Sequence, residues 1–190
     1  MRYDNIYGLR GILILIVVIF HLGFLPSFIV NLANATFFLL SGIFFHSKPV
    51  TKLLAISLIV SYILYFPGPY YDIMSFIKFI AYPVGTHLWF IFVLILFQLV
   101  ASKLQAFTLL IISLVLQLVT INPLYNYMLL FLPFFCIGIL YKEQFINLIE
   151  QLPSMRNKYL ISIGNNSLWI YLLHPYILTL IQFFYINLFV

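Results

Sequence analysis

Apolar runs that are greasy on every side follow one another along this chain, and they decide what it can fold into. Barrel strands alternate apolar and polar residues, and these segments do not. Of the 190 residues, 65% are hydrophobic and 7% are charged, whereas an ordinary soluble domain carries roughly a quarter charged residues. The sequence therefore reads as an all-α protein, a polytopic transmembrane helical bundle forming a single domain over residues 1–190. The net charge of +5 is spread out and reads as topology information, not as a nucleic-acid footprint. The single cysteine, Cys136, excludes a disulfide framework and a cysteine metal site.

About seven spans are expected, plus one interfacial or re-entrant helix. Span one runs from about Gly11 to Leu25, closed by Pro26. It follows Arg2 and Arg10 like a signal peptide, but no small-residue cleavage site follows Phe20, so it is read as a retained span. Span two is about Phe28 to Phe45, and span three about Leu53 to Phe66, stopped by Pro67-Gly68-Pro69. Residues 73–82 are too short to cross and contain Lys78, so they are read as the interfacial or re-entrant helix. Span four is about His87 to Ala101, span five about Leu104 to Ile121, and span six about Tyr125 to Tyr141. The polar stretch from Lys142 to Lys158 is expected to hold a surface helix before Pro153. The last span is about Tyr159 to Ile181. With the N-terminus inside, eight of the nine Lys and Arg fall on the cytoplasmic side, and only Lys78 falls outside. Counting 73–82 as a crossing would send the later charges outside.

Within that frame, Arg10 and His21 stand out. They bracket an otherwise apolar run and are eleven residues apart, which on a helix returns them to one face, roughly 16 Å apart. An ionisable group inside a span marks a functional site unless it snorkels or is satisfied by a neighbouring helix; the spacing alone leaves both readings open. Arg10 is placed at the cytoplasmic mouth, and its planar, permanent cation suits phosphate. His21 lies toward the outside, where a neutral imidazole can act as general base. His87 and His174 fall in the same outer half, so three histidines are expected to converge there. Asn34 and Ser41 share one face of span two and are expected to point into the bundle. Ser167, Tyr171 and His174 form a polar stripe on the last span, for which an interhelical hydrogen-bond seam is the alternative. No pair of histidines has close metal-ligand spacing and no carboxylate lies near them in sequence, so no metal is expected.

These residues also resemble a family. Tyr7-Gly8-Leu9-Arg10-Gly11-Ile12 leading to Phe20-His21 is similar to the Arg-to-His signature of membrane-bound acyltransferase family 3, which includes polysaccharide O-acetyltransferases. Phe37-Phe38-Leu39-Leu40-Ser41-Gly42-Ile43 resembles its second-span motif, and Lys52-Leu53-Leu54 stands where the family opens span three with a basic residue. His87-Leu88-Trp89-Phe90, then Phe134-Phe135 with Gly138, then Gly164-Asn165-Asn166-Ser167 through Tyr171 to His174-Pro175 resemble later motifs in the family's order. The match covers residues 7–175. The family carries more spans than this chain, and the difference falls between Tyr141 and Tyr159.

The resemblance implies an enzyme, an O-acyltransferase and most simply an O-acetyltransferase. Acyl-CoA (acetyl-CoA) would be the cytoplasmic co-substrate, with no permanently bound cofactor. A hydroxyl of a cell-surface or lipid-linked glycan would be the acceptor, and a bacterial inner membrane the location. Arg10, with Lys48 and Lys52, would hold the coenzyme, and Arg10 and His21 would carry the catalysis. His87, Trp89, Ser41, Asn34, Ser167, Tyr171 and His174 would line the substrate path. Membrane lipid is a necessary partner, and a homo-oligomer would complete any wall that the shorter chain lacks. The rivals are a transporter or non-catalytic membrane protein that keeps the fold. Asp4, Asp72, Glu143 and Glu150 all fall outside the expected spans, which argues against ion-coupled transport.

Overall fold

A computed structural model of the chain describes residues 4–45, 89–119, 129–152, 157–174 and 177–178. Span three and the helix expected at 73–82 lie outside the described residues. Every regular element among the described residues is a helix: α1 (Asp4–His21), α2 (Ser27–Ile43), α3 (Trp89–Ala101), α4 (Ala106–Val119), α5 (Leu132–Leu140), α6 (Lys142–Gln151) and α7 (Lys158–Asn165). After a one-residue turn at Asn166, residues 167–174 form a further helix, α8.

Helix α1 starts seven residues before the expected Gly11 and ends four before Leu25. Apolar length reports the thickness of the hydrocarbon, not the ends of a helix, and Asp4 in the first turn complements the positive helix terminus. The C-terminal end is closed by Gly23, whose φ of 82° turns the chain and whose N–H donates to the Phe20 carbonyl at 2.8 Å. Pro26 then opens α2. Two other spans are corrected. In span six a turn stands at Leu130–Phe131, and the nine-residue α5 begins only at Leu132. The last span is interrupted at Asn166, whose side-chain amide donates to the Ser162 carbonyl at 2.9 Å. Helix α1 is the one described helix long and apolar enough to cross a membrane by itself; α5 and α6 pass that test only as a pair, bent by 88°.

Two kinds of contact hold the bundle. In the first kind, helices touch backbone to backbone through glycine. A Cβ built on Gly11 would collide with the Leu160 carbonyl oxygen, and one on Gly164 with that of Tyr7. The same reciprocity joins α2 and α5, where a Cβ on Gly42 would strike the Phe135 carbonyl and one on Gly138 that of Leu39. Small residues permit such approach where lipid supplies no hydrophobic drive between helices. The second kind is aromatic. Helix α3 leans on the others through Phe90 and Phe97, whose ring centroids lie 4.6 Å and 5.3 Å from that of Phe38.

The directions of the helices follow from these pairings. Arg10 meets Ser167 and His21 meets His174, so α1 and α8 run the same way. Phe38 stacks on Phe131 and Phe45 meets Phe135 edge to face, so α2 and α5 also run together. Phe90 meets Tyr171 near the His174 end and Phe97 meets Phe135, which sends α3 along with α2 and α5. The turn at 22–26 makes α2 antiparallel to α1. Gln117 of α4 donates to the Leu129 carbonyl just before α5, at 2.9 Å, so α4 runs opposite to α5.

Helix α6 is the expected surface helix. It turns sharply off α5 and buries Ile146 and Ile149 against Ile6, Leu13, Leu40 and Ile43. Its C-terminal carbonyls are met by Asn5, whose Nδ2 donates to Ile149, Glu150 and Leu152 at 3.1–3.2 Å. One fully buried side chain therefore supplies partners that the helix end lacks.

Candidate functional site

The two contact types leave a gap. Where glycine draws α1 onto α7 and α2 onto α5, the backbones close; where phenylalanine props α3, they stay apart. A cavity of about 260 Å³ opens between α1, α2, α3 and α8. Its apolar walls are Ile14 and Val17 of α1, Phe37 and Leu40 of α2, and Phe90 and Leu94 of α3.

Polar groups enter from all four helices. Arg10 is half-buried in the second turn of α1 and donates from Nη2 to Ser167 Oγ at 2.8 Å. Ser167 is almost fully buried, one residue past the turn at Asn166, so the break in the last span sets it against the guanidinium. No carboxylate is among the described residues lining the cavity. Asn34 and Ser41, seven apart on α2, both face it. Asn34 is 6% exposed, while the Ser41 hydroxyl donates back to the Phe37 carbonyl at 2.8 Å. Gln98 enters from the far end of α3, and its Oε1 is buried without a hydrogen-bond partner among the described residues. Tyr171 closes the other end of the wall.

Beyond Tyr171 stand two histidines. The rings of His21 and His174 are 4.9 Å apart between centroids and inclined by 38°. His21 is exposed at the end of α1, whereas His174 is 3% exposed. The Nδ1 of His174 lies 2.8 Å from the Tyr171 carbonyl. A carbonyl only accepts, so Nδ1 carries the proton and Nε2 is the basic nitrogen of the neutral ring. The Tyr171 ring centroid is 5.7 Å from that of His174, so one tyrosine touches both the cavity and the histidine pair.

The structure thus gathers Arg10, Asn34, Ser41, Ser167 and Tyr171 around one cavity and pairs His21 with His174 outside its walls. His87, Lys48 and Lys52 lie outside the described residues. Trp89 opens α3, but its side chain is outside the described set. The sequence reading missed Gln98; the available signal was one amide in the otherwise apolar helix WFIFVLILFQLVA, where a polar residue asks for a partner. Among the described residues no three His, Cys, Asp or Glu side chains come together.

No family model, curated protein or solved structure matches this chain.

Proposed function

We propose that this chain is an integral membrane O-acyltransferase that moves an acyl group from cytoplasmic acyl-CoA to a glycan hydroxyl presented from the other side. The observation that carries the proposal is Arg10: a permanent cation in the wall of an interhelical cavity, held by a neutral serine, with no carboxylate among the described lining residues. A buried charge without an internal counter-charge is costly and is offset when an anionic ligand arrives. The phosphates of coenzyme A supply that anion.

The chemistry runs from Arg10 toward the histidines. Arg10 grips the coenzyme so that the thioester reaches the Tyr171 end of the cavity. His21, exposed where α1 ends, takes the proton of the acceptor hydroxyl. The oxygen attacks the thioester carbonyl, a C–O bond forms, and the C–S bond breaks. The leaving thiolate then takes the proton from the imidazolium. His174, locked with its proton on Nδ1, keeps a fixed partner beside His21.

Seven crossings, with the N-terminus cytoplasmic, are part of the proposal. Helix direction supports them. Spans one and seven share a direction, as two odd-numbered crossings must, and spans two, four and six share the opposite one. Helices α2 and α3 running alike requires an odd number of crossings between them, which one span at about Leu53–Phe66 supplies and a second crossing at 73–82 would spoil. The 88° turn from α5 to α6 supports the cytoplasmic interface at Lys142, with α6 lying in its plane.

The test is glycan acetylation in cells carrying Arg10→Ala or His21→Ala. General-base catalysis contributes typically 10²–10⁴-fold, so His21→Ala is expected to reduce acetylation by about that much, and Arg10→Ala to raise the acyl-CoA requirement. Full activity in both variants ends the proposal. One observation favours a second reading: the last span breaks at Asn166, beside the Arg10–Ser167 pair, and discontinuous helices around an anion site are a transporter feature. Acyl-CoA-dependent release of free CoA by the purified protein separates the two, because a transporter releases none.

A further inference from the structure

We propose that Gln98 is a donor-recognition residue, reading the hydroxyl and amide N–H of the pantetheine arm next to its phosphate. The inference rests on the acyl-CoA reading and deepens it. Gln98 lies eight residues after Phe90 on α3, about 12 Å along the helix. Because α3 runs opposite to α1, that displacement carries Gln98 away from Tyr171 and toward the Arg10 end of the cavity. Its Oε1 is buried there with no hydrogen-bond partner among the described residues. Buried acceptors are nearly always satisfied, and an orphan one facing a cavity calls for a ligand that brings a donor.

The two groups together define that ligand. At Arg10 it carries an anion; at Gln98, toward the same end of the cavity, it carries an N–H or O–H; between them it is apolar, to fit Leu40, Phe44 and Leu94. A phosphopantetheine has this order: phosphate, a branched apolar carbon, a hydroxyl, an amide. The remainder of the arm would run past Asn34, which is 6% exposed, toward Tyr171. Inorganic phosphate satisfies Arg10 and leaves Gln98 orphaned.

The experiment compares wild type with Gln98→Leu in lipid nanodiscs. Binding of CoA, pantetheine 4′-phosphate and inorganic phosphate is measured by calorimetry, with thermal unfolding as a control. Gln98→Leu removes an unsatisfied buried acceptor and keeps the volume, so folding is expected to be unharmed; Gln98→Met serves in the same assay if it is not. The expected result is CoA and pantetheine 4′-phosphate binding weakened about ten-fold, with phosphate binding unchanged. Equal CoA binding by wild type and variant overturns the role of Gln98 and leaves the acyl-CoA reading standing. Equal weakening of phosphate and CoA overturns it too, because Gln98 would then act through Arg10. No CoA binding by wild type sinks the acyl-CoA reading and this inference with it.

Discussion

Two side chains, Asn5 and Arg10, reach parts of the chain distant in sequence. Asn5 is fully buried and binds three carbonyls at the end of α6, 144 to 147 residues away. Asn5→Ala leaves those carbonyls without their donor, and a loss of about 1–3 kcal/mol is expected, read as a lower midpoint in thermal unfolding. Asn5→Asp is expected to be worse, since a carboxylate would face carbonyl oxygens. Ser167→Ala tests the other long-range bond. It removes the hydroxyl that accepts from Arg10 Nη2, and on the proposed acyl-CoA chemistry the expected outcome is a several-fold rise in KM for acyl-CoA with kcat nearly kept. A fall in kcat alone would contradict the orienting role. At this scale the sequence was informative where periodicity applies: the spacing of Arg10 and His21, and of Ser167, Tyr171 and His174, survives as shared helix faces. Gln98 and Asn5 escaped because neither has a patterned companion. What they face is a cavity between helices and the end of another helix, which no local spacing reveals.

Between elements, glycine and phenylalanine divide the labour. The glycines of four sequence motifs, Gly11, Gly42, Gly138 and Gly164, are points among the described residues where one backbone meets another too closely to admit a Cβ. Their meaning in sequence was ambiguous, because a motif glycine does not say which backbone it admits. Replacing Gly42 or Gly138 by alanine forces α2 off α5. Overpacking of this kind costs typically 1–3 kcal/mol, and a larger loss is expected here because the obstructing atoms are backbone and cannot rotate away. Gly23→Ala provides the contrast. Its site is open, with nothing within 4 Å of an added Cβ, so only the left-handed backbone opposes it, at about 1–2 kcal/mol. Unfolding midpoints that fail to rank Gly42→Ala below Gly23→Ala would count against the backbone contact. The breaks at Leu130–Phe131 and Asn166 were illegible for a related reason: sequence that is apolar on every side looks the same whether or not the helix axis is interrupted.

For the molecule as a whole, the order of apolar runs was legible and the ends of the helices were not. Hydrophobicity marks apolar runs, while α1 begins before its run, at Asp4, and α6 turns off α5 by 88°. The direction of each helix gives the topology a check that charge counting lacks. In a Cys136→Ser background, a membrane-impermeant thiol reagent is expected to label Ser27→Cys in intact cells and Gln105→Cys only once the cells are opened. Labelling of both from one side would break the seven-crossing arrangement. The seam between α1 and α7 has a consequence of its own. It pinches shut one residue from the guanidinium and three from the serine that holds it, so that stretch has no slack. Any wedge driven into it would pull cation and hydroxyl out of line while both helices stayed wound. On the proposed function, heat-sensitive loss of anion binding in a protein that still folds would be its signature.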